Sequence, residues 1–158
     1  MTDVFSAGVL VYRRVEAGIE VLLGHMGGPM WAKKDDSAWS IPKGEYVSEE
    51  ESALDAARRE FTEELGLPVP EGVWTDLGAV TYRSGSRRKV LAVWAVEGDL
   101  DPAEVVPGTF EMEWPPRSGR RAEFPEIDRA AWFDLTTAAD KLVKGQRPLL
   151  TRLIGQPH

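Results

Sequence analysis

The 158-residue sequence contains no cysteine. That excludes a disulfide framework and any thiolate-held metal centre, and it suits a reducing cytoplasm. Histidine is nearly as scarce, with only His25 and His158, which argues against a histidine-rich zinc site. No apolar run approaches the length of a membrane span. The opening stretch MTDVFSAGVLVYRR lacks the basic start of a signal peptide and reads as a strand. Surplus positive charge is missing as well, since the formal net charge is -7. A chain this acidic is poorly suited to nucleic acid, whose phosphates are held by surplus Lys and Arg. It can still handle a small phosphorylated molecule if cations bridge the two negative partners. The expectation is a soluble cytoplasmic protein with no membrane partner, and a homodimer is left open.

What is present is enough apolar material for one ordinary domain spanning 1–158, with 42% hydrophobic residues. Val9 and Val11, then Ile19, Val21 and Leu23, alternate on either side of Gly18, which predicts two strands joined by a turn. A Gly-rich loop follows, and Pro42 and Gly44 in SIPKGEY mark a turn or loop edge. The strongest helical segment runs from about 52 to 65, where Leu54, Ala57, Phe61 and Leu65 recur at offsets of three and four. Gly66 supplies its stop and Pro68 follows. Two starts compete, Ser48 with Glu51 and Ser52 with Asp55. Strands are expected near 73–82 and 88–97 around RSGSRR, then a long polar connection over 99–127. A short strand at AAWFDL and short helices at 136–144 and 146–154 complete an α+β or mixed-sandwich pattern.

The predicted helix carries an oddity. Glu60, Glu63 and Glu64 fall together beside its apolar stripe and near its C-terminus. Like charges at this spacing cost a few tenths of a kcal/mol or more, and the helix dipole disfavours anions there. One reading is a solvated acidic face balanced by Arg58 and Arg59. The other is a hard divalent cation, which would remove both penalties; all-oxygen ligands suit Mg²⁺ or Mn²⁺.

Read from Gly44, the stretch GEYVSEEESALDAARREFTEELGL resembles the Nudix box, G-x5-E-x7-R-E-U-x-E-E-x-G-U, where U is a bulky aliphatic. Glu51, Arg59, Glu60, Phe61, Glu63, Glu64, Gly66 and Leu67 fall at the motif's spacing among themselves. Phe61 is aromatic where an aliphatic is usual. Six residues rather than five separate Gly44 from Glu51, an insertion in the loop before the helix. The resemblance implies an α/β/α sandwich around a mixed sheet, and hydrolysis of a nucleoside diphosphate linked to another group X. By motif position it implies Glu60 and Glu64 as main metal ligands, Glu63 as a ligand or base, and the Gly44 carbonyl completing the shell. Arg59 would orient Glu60 and pair with Glu51.

The preceding WSIPKG is similar to a pattern of Nudix enzymes acting on dinucleoside polyphosphates and diphosphoinositol polyphosphates. Lys43 would then face a phosphate. Arg83, Arg87, Arg88 and Lys89 form a second basic stretch able to attract a polyanion, or a solvated hairpin tip. Lys89 begins a strand similar to one carrying a phosphate-facing cation in dinucleoside polyphosphate hydrolases. Within 99–127, Glu111, Glu113, Glu123 and Glu126 are candidates for an extra ligand or base. Trp114, Arg117, Arg120 and Arg121 are candidates for a lid. Trp39 reads equally as a stacking or a packing residue, His25 as a catalytic base or, more simply, a strand-end residue without chemistry, and Tyr82 and Trp94 as packing.

Overall fold

Along the first strand Val9 and Val11 point to one side and Leu10 and Tyr12 to the other, and all four are buried. A strand covered on both faces belongs in the middle of a sheet between two layers. The computed structural model describes residues 3–155, with His158 outside them. Its elements in chain order are β1 (Asp3–Val15), β2 (Gly18–Met26), β3 (Trp39–Ser40), β4 (Lys43–Glu45), α1 (Ala53–Leu65), β5 (Thr75–Ser84), β6 (Arg87–Glu97), β7 (Thr109–Glu113), β8 (Arg121–Pro125), β9 (Ile127–Asp134), α2 (Leu135–Lys141) and α3 (Pro148–Ile154).

The sheet is mixed. β1 runs parallel to β6 and antiparallel to β2, and β6 pairs antiparallel with β5. β2 pairs with β3 and β9. β1 also forks: Tyr12 to Val15 pair with β2, whereas Ser6 to Gly8 pair with β4. The fork brings Lys43 and Gly44 to the sheet beside the helical layer.

On one face α1 buries Ala56, Ala57, Phe61 and Leu65 against Ala7, Val9, Val11, Leu22 and Val96. On the other, Leu142, Leu149, Leu150 and Leu153 cover Leu10, Leu23, Leu91 and Val93. This is the expected α/β/α arrangement. Of the predicted stripe, Leu54 is only half-buried and Ala56 takes its place in the core.

Ser52 wins the competition for the start of α1, its Oγ accepting the Asp55 N–H at 3.1 Å. Glu51 is free for another task, because 47–51 close into a turn through the Glu50 and Glu51 N–H groups on Val47 O. That turn lies in the loop that carries the extra residue. Gly66 ends α1 at φ 68°, a left-handed conformation that favours glycine.

Two expectations need correction. SIPKGEY is not merely a turn, since β3 ends in it at Ser40 and β4 lies within it. The stretch 99–127 is not one irregular connection, since β7 and β8 form a separate antiparallel ribbon. Phe110, Met112 and Trp114 are half-buried while Thr109, Glu111 and Glu113 are exposed, a strand alternation disguised by prolines and charge. Among the described residues no helix is long and apolar enough to cross a membrane.

Candidate active site

Burial of Phe61 and Leu65 fixes the rotation of α1, and Glu60, Glu63 and Glu64 emerge on its flank facing β4. They line a cavity of about 520 Å³ with Gly44, Lys43, Lys89 and Glu126. Gly44 lies against the Glu60 carboxylate so closely that a Cβ there would overlap it. Glycine at this position lets the Glu60 carboxylate rest against the β4 backbone, and a side chain there would have to push that carboxylate aside.

Each carboxylate has a different setting. Glu64 Oε2 accepts the Lys43 N–H at 2.7 Å. What Glu64 exposes opens into the cavity, and burial pushes its pKa up to about 7, against the pull of Lys43. Glu60 is also raised, by burial first, with its bond to Arg59 opposing. Glu126 adds to both shifts by charge repulsion. Glu63 is the most open, its side chain 58% exposed.

Arg59 ties the set together. Its guanidinium donates to Glu51, to Glu60 at 2.8 Å and to Glu63 at 3.1 Å. These bonds raise the Arg59 pKa, the bond to Glu51 most of all, and hold Glu51 below the usual carboxylate range. Arg58 is not part of the cluster; it stacks 4.7 Å over the Trp74 ring.

Among the described residues no three acidic or imidazole groups are already gathered as a metal cage. The carboxylates are turned instead to donors of their own chain, Glu60 and Glu63 to Arg59 and Glu64 to the backbone at Lys43. The donor set nonetheless fits a hard cation. It is all oxygen, it converges from α1, β4 and Glu126 on one cavity, and its members repel one another. Glu64 in particular is a largely buried carboxylate held by one backbone N–H.

The cations divide. Lys43 and Lys89 line this cavity, and burial followed by the charge of Lys43 lowers the Lys89 pKa. Arg83 lines an adjoining cavity. Arg87 lies outside both. It sits in a larger groove of about 670 Å³ beside Glu45, 3.6 Å away. That groove contains none of the helix carboxylates. Arg88 pairs with Asp3.

Of the four candidate glutamates in 99–127, the structure brings only Glu126 to the cavity. Its backbone is clamped at both ends, N–H to Gly108 O at 2.8 Å and C=O to Gly27 N–H at 3.0 Å. Glu111 and Glu123 face each other on the ribbon, and Glu113 caps the Arg117 N–H. Trp114, Arg117, Arg120 and Arg121 line neither cavity. Trp39 is a packing residue, buried edge-on against His25 and Phe133. Tyr82 packs against the core but also lines the adjoining cavity, as do Trp31, Lys144 and Gln146, none of which the sequence marks out.

Sandwich, acidic helix and closely approached glycine form the setting in which kinship can be judged. The chain matches the NUDIX domain over residues 4–153 and belongs to that family. Among solved structures it is similar to an Ap4A hydrolase of C. elegans in a binary complex, at 21% identity and a TM-score of 0.66, covering 96% of each chain. It is similar to the MutT protein of Methanosarcina mazei Go1, at 18% identity, a TM-score of 0.66, and 97% and 94% of the two chains. It is also similar to the NUDIX domain of Shewanella oneidensis NrtR complexed with ADP ribose, at 12% identity, a TM-score of 0.64, and 98% and 88% coverage. No curated protein matches the sequence.

Proposed function

We propose that the protein is a divalent-metal-dependent pyrophosphohydrolase that cleaves a phosphoanhydride bond in a nucleoside diphosphate linked to X, with X most simply a second nucleotide. The observation that carries this reading is the meeting of Glu60, Glu63, Glu64 and Glu126 with Lys43 and Lys89 around one cavity. Acids alone would repel a polyphosphate and lysines alone would only bind it.

Glu60 and Glu64, with Glu63 and the Gly44 carbonyl, would hold Mg²⁺ or Mn²⁺. Such an ion neutralises phosphate charge, orients the chain and acidifies the water it binds. Lys43 and Lys89 hold phosphate oxygens. Glu126, or Glu63, accepts the proton of the attacking water. The water oxygen bonds to phosphorus, the anhydride P–O bond breaks, and the electron pair leaves with the departing phosphate. Arg59 keeps Glu60 in place and is itself held by Glu51. Absence of cysteine supports a cytoplasmic setting.

A second reading is an ADP-ribose, nucleotide-sugar or nucleoside triphosphate substrate, favoured by the likeness to a domain complexed with ADP ribose. The lysine pair and Arg83 lean toward a longer phosphate chain. A purely sensing module is disfavoured because every box glutamate is present.

The test is turnover of a substrate panel with Mg²⁺ in ¹⁸O-labelled water, with products weighed by mass spectrometry. Cleavage of a dinucleoside polyphosphate, with label on one phosphate product and loss in Glu64→Gln, supports the proposal. Tight nucleotide binding without turnover of any member would replace it with the sensing module.

A further inference from the structure

Beside the carboxylate cavity lies a second one of about 370 Å³. The two share Met26, Lys43 and Lys89. A phosphate chain held by the lysine pair would therefore reach from one into the other. In a chain with a net charge of -7, no carboxylate among the described residues lines the second cavity. Two further cations do, Arg83 and Lys144, both exposed at its rim.

Its polar floor is already committed. Gln146 is fully buried. Its Nε2 donates to Ser40 Oγ at 2.9 Å and to Tyr82 Oη at 3.3 Å, and its Oε1 accepts the Ile41 N–H at 3.0 Å. Apart from the Tyr82 O–H, little is left there to bind the hydroxyls of a sugar or an inositol ring. What the cavity adds is flat ring surface, supplied by Trp31 and by Tyr82, whose ring Gly145 lies close against.

Trp31 is the only cavity residue from the loop 27–38; it is held by its own turn, its N–H on Gly28 O at 3.2 Å and its C=O accepting the Lys34 N–H at 3.0 Å, and the following residues 34–37 are pinned from several sides. His25 Nε2 meets Lys34 O at 2.6 Å while its Nδ1 is engaged by Asp128 at 3.0 Å. Trp39 Nε1 donates to Asp35 at 2.9 Å, and Lys141 bridges Asp35 and Asp36. Arg147 donates to Ser37 Oγ at 2.9 Å. His25, fully buried and with both ring nitrogens spent, is thereby a positioning residue for this loop. Lys34 Nζ lies 5.2 Å over the Trp31 ring, so the indole is preorganised to stack a base on its other face.

We infer that Trp31 is the specificity-determining wall of a second subsite, where it stacks the base of the nucleotide on the far side of the scissile anhydride. Arg83 and Lys144 hold the phosphate of that same nucleotide. The inference rests on the pyrophosphohydrolase reading and adds to it which residues read the base and the phosphate of X.

The experiment compares wild type with Trp31→Ala, Trp31→Phe and Lys144→Glu in Mg²⁺. The substrates are a dinucleoside tetraphosphate and a nucleoside tetraphosphate that lacks the second base. Stacking of one base predicts a KM on the order of 10-fold higher for the dinucleoside in Trp31→Ala, kcat within about 2-fold, and recovery in Trp31→Phe. Lys144→Glu raises KM in the same direction. The single-base substrate shows little difference between wild type and Trp31→Ala. An unchanged KM for the dinucleoside in Trp31→Ala overturns the inference, as does an equal rise for both substrates. Should wild type turn over neither compound, the catalytic reading has failed, and AMP binding by calorimetry decides the subsite separately. Binding weakened in Trp31→Ala and recovered in Trp31→Phe upholds it; no binding, or equal binding by all three, overturns it. Thermal melts of each variant identify misfolding. If Trp31→Ala misfolds, the KM values of Trp31→Phe and Lys144→Glu decide: near-wild-type in the first and raised in the second upholds the subsite, and any other pair overturns it.

Discussion

The two adjoining cavities are built in opposite ways. The carboxylate cavity takes three of its acids from one regular helix, whose buried face sets their direction. The far cavity takes Trp31 from a loop, Tyr82 and Arg83 from a strand end, and Lys144 and Gln146 from the turn before α3. On the proposed reading, chemistry sits largely on rigid helical geometry and recognition on connecting segments, a division that lets recognition vary while the reacting groups stay in register. Charge divides the same way. One cavity is crowded with repelling carboxylates, and the other has cations and, among the described residues, no acid.

The sharpest way to break this comparison is to neutralise one helix carboxylate. Glu64→Gln or Glu60→Gln keeps side-chain volume but removes a charge aimed into the carboxylate cavity. We expect kcat to fall on the order of 10³-fold, with nucleotide binding at the far cavity retained. Steady-state kinetics beside calorimetry check it. Retention of full activity in both variants would remove these residues from the mechanism.

The next effect is on stability and needs no substrate. The native Glu64 pKa of about 7 lies above the 4.5 of an unperturbed glutamate. Between those values the folded chain keeps a proton that the unfolded chain releases. Stability therefore falls as pH rises through this window and levels off above it. The ceiling for one such group is roughly 3 kcal/mol. Glu60, also raised, acts with the same sign. Urea melts in chelator from pH 5 to 8 should show wild type losing stability relative to Glu64→Gln. Added Mg²⁺ at pH 8 should restore part of it, because a cation compensates the charge that burial penalises. A flat difference between the two proteins across this range would mean that Glu64 titrates normally.

Glu126 sharpens the comparison from outside the helix. Glu126→Gln is expected to lower kcat by about 10²-fold if it takes the proton. It should also shift the melting window of Glu64 downward, since Glu126 raises that pKa by repulsion. Glu111→Gln, on the ribbon, should change neither, and together the two variants test whether cavity placement or mere nearness in sequence selects the base.

The same contrast explains what could be read in advance. The helix constellation was legible because Arg59, Glu60, Glu63, Glu64 and Gly66 sit at fixed spacing within one periodic segment, so local geometry follows from local sequence. Gly44 was legible from the same motif despite the extra residue in the loop that turns at Val47. The far cavity was not, apart from Lys43, Arg83 and Lys89. Trp31 and Gln146 lie more than 100 positions apart, and only the packing of α3 and the loop against one sheet face brings them together. Choosing among four glutamates was likewise impossible, because it depends on where the ribbon ends and β9 begins. Strands β7 and β8 were missed because Pro, Gly and charge dominate a stretch whose alternation is only half-buried.

The smallest expected effect concerns Arg59, which touches the site only through others. Its fork spans Glu51 on one side and Glu60 and Glu63 on the other. A lysine there keeps the charge but cannot present several donors in fixed directions. Arg59→Lys should therefore leave the fold intact and loosen Glu60, costing about 10-fold in activity at limiting Mg²⁺. Because the defect lies in holding a ligand in place, raising the Mg²⁺ concentration should recover most of the loss, whereas Glu60→Gln should recover little. If Arg59→Lys instead lost activity equally at every Mg²⁺ concentration, the guanidinium would have to contact substrate directly, and the separation of holding from reacting groups around α1 would not stand.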